Sequence, residues 1–215
     1  MAALKDIKRK ITAVQKTRQI TRAMNMVAAS KFKAAQVRME NFRPYATKFT
    51  EVLDSLAPRV DPEKQPPLLK VREPKRIRAI CMTSDRGLCG GFNNNLIKAT
   101  ERFLRDKQRE GLEVEMITVG RKGRDYFRKK VKTVNAWVDV FGKFDMTLAV
   151  AIAEDVIPSF VNEEYDELYL LYNQFVNVSV QRPTVVRLFP LPSIGGTQES
   201  GAESRIDIIY EPSAD

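Results

Sequence analysis

The residues best placed to do chemistry are Ser84-Asp85-Arg86-Gly87-Leu88-Cys89-Gly90-Gly91-Phe92-Asn93, a glycine-rich run between a strand-like and a helix-like segment. Phosphate loops occupy that position in nucleotide-binding α/β enzymes, because backbone N–H groups and a helix N-terminus converge there on negative charge. The run fits neither G-x-G-x-x-G nor G-x-x-x-x-G-K-[ST], since the second spacing and the lysine are missing. The plainer reading is a tight structural turn, in which Gly87, Gly90 and Gly91 allow positive φ and Asn93 or a neighbour caps the next helix. Other reactive chemistry is scarce. There is no histidine, and the two cysteines are Cys81 and Cys89, which removes zinc sites, Cys-His nucleophiles and histidine bases. Without a secretion signal both cysteines fit a reducing compartment and read as ordinary small residues. No catalytic residue, metal or cofactor is expected.

The second feature with chemical consequences is charge. Residues 1–60 hold 13 Lys and Arg against 4 Asp and Glu, so the net +9 is concentrated at the N-terminus. Such a surface seeks phosphates, an anionic membrane or acidic protein loops. A basic-zipper arrangement on nucleic acid is a poor fit, because the cations are interleaved with the apolar residues rather than placed before them.

The element that carries this charge is a long helix. No glycine precedes Gly87, and Pro44 and Pro58 are the prolines of the first 60 residues. Alternate steps of three and four from Leu4 pass through Ile7, Ile11 and Val14 to Phe49, Leu53 and Leu56, and thirteen of the sixteen positions are apolar. That is a coiled-coil seam over residues 1–57, roughly 80 Å long at 1.5 Å per residue. Pro44 is expected to kink it or break it in two. Between Ile20 and Ala29 apolar side chains run nearly all the way round, so this stretch needs cover on more than one side. There the seam itself turns polar, at Arg18, Thr21 and Asn25. Either a register device or a sliding contact surface would look like this.

Residues 58–75 contain Pro58, Pro62, Pro66, Pro67 and Pro74 and read as a linker. Beyond it, strands at 77–83, 114–119, 134–138, 167–172 and 176–188 alternate at first with helices at 92–110, 122–130 and 146–161. The alternation predicts an α/β domain over 76–212 with a mostly parallel, Rossmann-like sheet. An exposed loop is expected at 190–204 and a last strand at 205–210. The longest apolar run, near Thr147 to Ala153, is too short to cross a bilayer. The basic, acid-poor start resembles a transit peptide only locally, since its pattern continues past residue 50. The seam finds no helix of matching length in residues 60–215, so its partner is expected to be another chain or a missing second helix.

The stretches Ile7-Lys8-Arg9-Lys10-Ile11 and Ile20-Thr21-Arg22-Ala23-Met24-Asn25-Met26-Val27-Ala28-Ala29-Ser30-Lys31, with the glycine run at 84–93, resemble the gamma subunit of F-type ATP synthases. The resemblance extends over all 215 residues, including Pro190-Leu191-Pro192 and Tyr210-Glu211-Pro212. It implies a non-catalytic rotor shaft within a proton-translocating complex, inside a ring of alpha and beta subunits, whose asymmetry sets each catalytic site to a different state. It implies contacts to that hexamer through Lys10, Arg18, Arg22, Met24, Met26, Val27 and Lys31. The α/β domain would be a foot that meets epsilon and the membrane c-ring, with Tyr210 near that contact and no role in nucleic-acid binding. The place implied is peripheral, on the cytoplasmic face of a bacterial inner membrane. The family continues into a long C-terminal helix that this sequence lacks, so the chain resembles a truncated form. The alternative from the glycine run is a nucleotide-binding α/β enzyme with a coiled-coil oligomerisation helix.

Overall fold

In the computed structural model the described residues are 2–56, 66–142 and 146–191, which fall into two units. The first is a single helix, α1 (Ala2–Leu56), which runs unbroken through Pro44. Proline removes the N–H that the Glu40 carbonyl would accept, a cost of about 3 kcal/mol. The strongly helix-forming sequence on both sides absorbs it, so the expected break does not occur. Thr47 and Thr50 turn their hydroxyls onto the carbonyls of Arg43 and Ala46, so neither competes for helix bonds from outside. The whole described seam is at the surface, from Leu4 (63% exposed) to Phe49 (54%), and only Ala35, Gln36, Met39 and Ala46 are half-buried.

The second unit is an α/β sandwich of three layers. Its strands are β1 (Arg76–Met82), β2 (Glu113–Val119), β3 (Lys132–Trp137), β4 (Glu167–Phe175) and β5 (Gln181–Phe189). They lie in the order β3-β2-β1-β4-β5, with β5 antiparallel to β4 and every other pair parallel. The helices are α2 (Phe92–Arg109), α3 (Arg121–Phe127) and α4 (Thr147–Val161). Alternation along β1 feeds two cores. Ile77, Ala79 and Cys81 pack with Leu96, Leu104 and Phe127 beneath α2 and α3, while Ile80 packs with Val156, Phe160 and Tyr165 beneath α4. Central β1 and β2 are buried almost throughout, as near-continuous apolar runs require, and edge strand β3 alternates.

The described part of the proline-rich stretch makes a short 3₁₀ turn at Pro67–Leu69. Arg72 then donates to the Phe160 carbonyl at 3.1 Å, and the backbone N–H groups of Lys75 and Arg76 both donate to Asp166. One expected strand start is displaced: 176–180 is the turn of the β4–β5 hairpin rather than strand. There Asn177 accepts bonds from the N–H groups of Ser179 and Val180, at 2.9 and 2.8 Å. The strand expected at 205–210, most of the loop expected at 190–204, and Tyr210 lie outside the described residues.

Candidate functional site

Two surfaces qualify. On α1, a turn of 3.6 residues sorts the expected contact residues into two stripes. Ile20, Met24, Val27 and Lys31 follow one another at four, three and four residues; Arg18, Arg22 and Met26 form a second stripe nearly opposite. Lys10 precedes the first stripe, and all seven residues expected to make contacts are exposed. Met24 and Met26 are 60% and 63% exposed although they point to different sides of the rod. The polar break in the seam is partly illusory, because the Thr21 hydroxyl donates to the Thr17 carbonyl at 2.9 Å and leaves its methyl outward. Thr17 does the same to Ala13. Of the three polar seam residues, Arg18 and Asn25 are then the ones that keep a fully polar side chain at the surface.

The second surface is the crest of the sheet at the C-terminal end of β1. Of the three turn glycines only Gly90 uses positive φ (+56°), and Leu88 joins it at +60° with its side chain wholly in solvent. Asn93 does not cap α2, whose N-cap Gly91 has no side-chain cap bond. It acts as a peg for the turn instead: its Oδ1 accepts from the Ser84 N–H at 3.0 Å, and its Nδ2 donates to Ser84 Oγ at 2.8 Å and to Cys89 Sγ at 3.1 Å. Ser84 Oγ in turn donates to the Arg86 carbonyl. The loop's polar groups are thus largely satisfied from within.

Doubly wound sheets bind ligands where the strand order reverses, here between β1 and β4. Asn173 of β4 donates to the Phe92 carbonyl at 2.9 Å and stitches that crevice across. A cavity of about 380 Å³ lies to one side, lined by Gly90, Asn93, Asn94, Ile97, Lys122, Asp125 and Tyr126. The hydrogen bond from Arg124 holds the Asp125 carboxyl below its usual range, so it faces the cavity as an anion beside the Lys122 cation. Among the described residues no cluster of metal-ligating side chains occurs.

Sequence reasoning missed two residues that build this crest. Asp85 Oδ1 accepts from the N–H groups of both Arg121 and Asp139, at 2.9 and 3.0 Å, and so ties together the loops after β1, β2 and β3. Gly120, at φ +94°, lies so close to β1 that a Cβ would fall 2.1 Å from the Thr83 carbonyl oxygen. Its position directly after a strand, opening a helix, was the signal that could have found it.

The sequence profile of a family described as ATP synthase matches residues 3–215. The ATP synthase gamma chain of Syntrophus aciditrophicus is 68% identical over 213 residues, 99% of this chain and 73% of that one. That of Syntrophobacter fumaroxidans is 46% identical over 215 residues, with the same shares. Among solved structures, the central stalk and c-ring of the Tetrahymena thermophila mitochondrial ATP synthase holds a chain of the same fold. It aligns with a TM-score of 0.62 and 27% identity, over 80% of this chain and 72% of that one. With a family profile that spans residues 3–215 and a relative 68% identical over nearly the whole of this chain, the chain belongs to the ATP synthase gamma family.

Proposed function

We propose that the chain is the non-catalytic rotor shaft of the complex, gripped along α1 by alpha and beta subunits and coupling ion flow through the c-ring to ATP synthesis or hydrolysis. The observation that carries this is the pair Met24 and Met26, both about three-fifths exposed on different sides of one helix. Apolar side chains on both sides of a rod gain from burial only inside a sleeve, and a single partner helix covers one side. Arg18, Arg22 and Lys31 suit acidic loops on that sleeve, where attraction without deep burial permits sliding. The α/β domain serves as the foot toward epsilon and the ring, at the cytoplasmic face of the membrane. No described helix is long and apolar enough to cross a membrane, which agrees with peripheral attachment.

The enzyme alternative draws on the glycine turn at a topological switch point. It is weakened by Asn173 bridging that crevice. Co-expression with the alpha and beta subunits of the same organism, followed by purification through a tag on beta, tests the shaft. The chain is expected to co-elute with an ATP-hydrolysing hexamer, and calorimetry of the chain with ATP or NAD is expected to give no binding heat. A folded chain that does not co-elute, or one that binds either nucleotide tightly, sinks the proposal.

A further inference from the structure

Beyond the linker the charges balance in number but not in space. From Phe92 to Lys132 there are 12 Lys and Arg against 6 Asp and Glu, whereas Met146 to Val180 contain six acids and no base. The basic excess lies on the outer side of the α2/α3 layer. Lys98, Arg102 and Arg105 follow at four and three residues along α2, all exposed, and Lys122, Arg128 and Lys129 are exposed in and after α3. The helices are held side by side by Glu101, which accepts from Tyr126 at 2.7 Å and from Lys130 at 3.0 Å. That carboxylate is thereby spent, and the remaining nearby acids answer other cations: Glu110 to Lys107, Asp106 to Arg109, Asp125 to Arg124. Among the described residues the six named cations form no salt bridge.

The same face lacks something. Apart from Leu88 on the turn before α2, no large apolar side chain from there to Lys132 is exposed among the described residues. Protein partners are usually held by apolar or aromatic anchors seated in pockets, with charges at the rim. A cationic face without such anchors suits a diffuse layer of negative charge, which attracts without fixing position.

We propose that the α2/α3 face is an electrostatic docking surface for the anionic phosphate headgroups of a lipid bilayer. The proposal rests on the membrane-peripheral reading given above, and that reading is why a bilayer rather than a nucleic acid is the polyanion named. A layer that offers no fixed register also leaves a turning subunit free to turn. Each Lys or Arg near an anionic surface contributes about fivefold in affinity. Three cations of the α2 stripe together therefore account for roughly a hundredfold, screened within about 8 Å at physiological salt.

The test is flotation of the full chain with vesicles of phosphatidylcholine alone, or of phosphatidylcholine and phosphatidylglycerol in equal parts. Binding only to the anionic vesicles is expected, with roughly a hundredfold loss in a Lys98→Gln, Arg102→Gln, Arg105→Gln variant. Because α1 is also basic, lysine acetylation of the unaltered chain supplies the location, whether or not the variant folds. Vesicles are expected to protect Lys98, Lys122 and Lys129. Protection confined to Lys5, Lys8 and Lys10, or equal binding to neutral vesicles, overturns the proposal. Stronger protection of the same lysines by RNA at equal phosphate concentration overturns it in favour of a nucleic acid. None of these outcomes bears on co-elution with alpha and beta, so the shaft reading stands or falls separately.

Discussion

Replacing Gly120 by alanine would set a Cβ 2.1 Å from the Thr83 carbonyl oxygen and 2.7 Å from its carbon. The two strand ends would have to part by nearly an ångström to reach 3.0 Å, below which such contacts essentially do not occur. That motion strains two bonds of 2.7 Å, from the Thr83 N–H to the Val119 carbonyl and from the Gly120 N–H to the Trp137 carbonyl. Each is worth about 1 kcal/mol net. A non-glycine residue held near φ +94°, ψ 140° adds about 1–3 kcal/mol of backbone strain. Together these give a loss of about 3–5 kcal/mol, a large part of the roughly 5–15 kcal/mol that stabilises a domain. Urea unfolding followed by the fluorescence of Trp137, the sole tryptophan, reads this directly. At about 2 kcal/mol per molar the midpoint falls by about 2 M. Gly87→Ala is the control, since its Cβ meets only the flexible end of Lys122 at 3.8 Å, and it should stay within about 0.5 kcal/mol. A Gly120→Ala midpoint shifted by less than about 0.5 M, or as little as that of the control, refutes the reasoning.

Three further outcomes are expected. Met24→Lys leaves the stability of the isolated chain within about 0.5 kcal/mol, because the side chain is 60% exposed. In the assembled complex it lowers ion pumping per ATP hydrolysed, and an unchanged ratio counts against Met24 as a contact. Burial pushes the Glu115 carboxyl up, but bonds from Lys132 and Arg78 outweigh it and hold the group below its usual range. Its folded pKa thus lies below the unfolded one, so its contribution is complete above about pH 4.3 and drains away as pH falls further. Glu115→Gln is expected to flatten stability against pH in that acid window; an unaltered slope there removes the argument. Finally, a thiol reagent should modify exposed Cys89 in the native chain and reach Cys81 only on unfolding, since burial raises the Cys81 thiol to about 11. Mass spectrometry that finds two modified cysteines in the folded chain contradicts the packing of β1.

The sheet was legible because β1 and β2 are predominantly apolar and each is followed by an amphipathic or basic helix, although the buried charges Arg78 and Glu115 interrupt both. What misled at the hairpin was Val176, Val178 and Val180, whose alternation imitates a strand. The Asn177 side chain decides otherwise by accepting the consecutive N–H groups of Ser179 and Val180, which in a strand would point to opposite sides. Pro44 does not produce the break that was one of its two expected effects, since one lost bond is small beside the propensity of a 55-residue helix. At the crest the glycines were readable and the side chains that fix them were not. Asp85, Asn93 and Asn173 each act on backbone groups far along the chain or across the turn, and no periodicity encodes such pairings. The 23 charges of each sign from residue 61 onward balance in number, and that balance carries no information on how the cations of α2 and α3 gather on exposed positions.

The two units differ in where their stability resides, and that decides how changes in them should be interpreted. In the sheet, Ile77, Met116 and Leu168 are wholly buried, so their cost on truncation is a cavity cost of about 2–5 kcal/mol that any unfolding experiment registers. Along α1 the large apolar groups from Leu4 to Val52, except half-buried Met39, remain at the surface, and a lone helix in water gains little from residues it does not bury. On the shaft proposal, the surface that would complete the order of α1 is also the surface on which it acts. A substitution at Met24, Met26 or Val27 has almost nothing to lose in the free chain and a whole contact to lose in a sleeve. Energetic silence in isolation combined with a large effect on coupling is the signature that separates a shaft from a core helix.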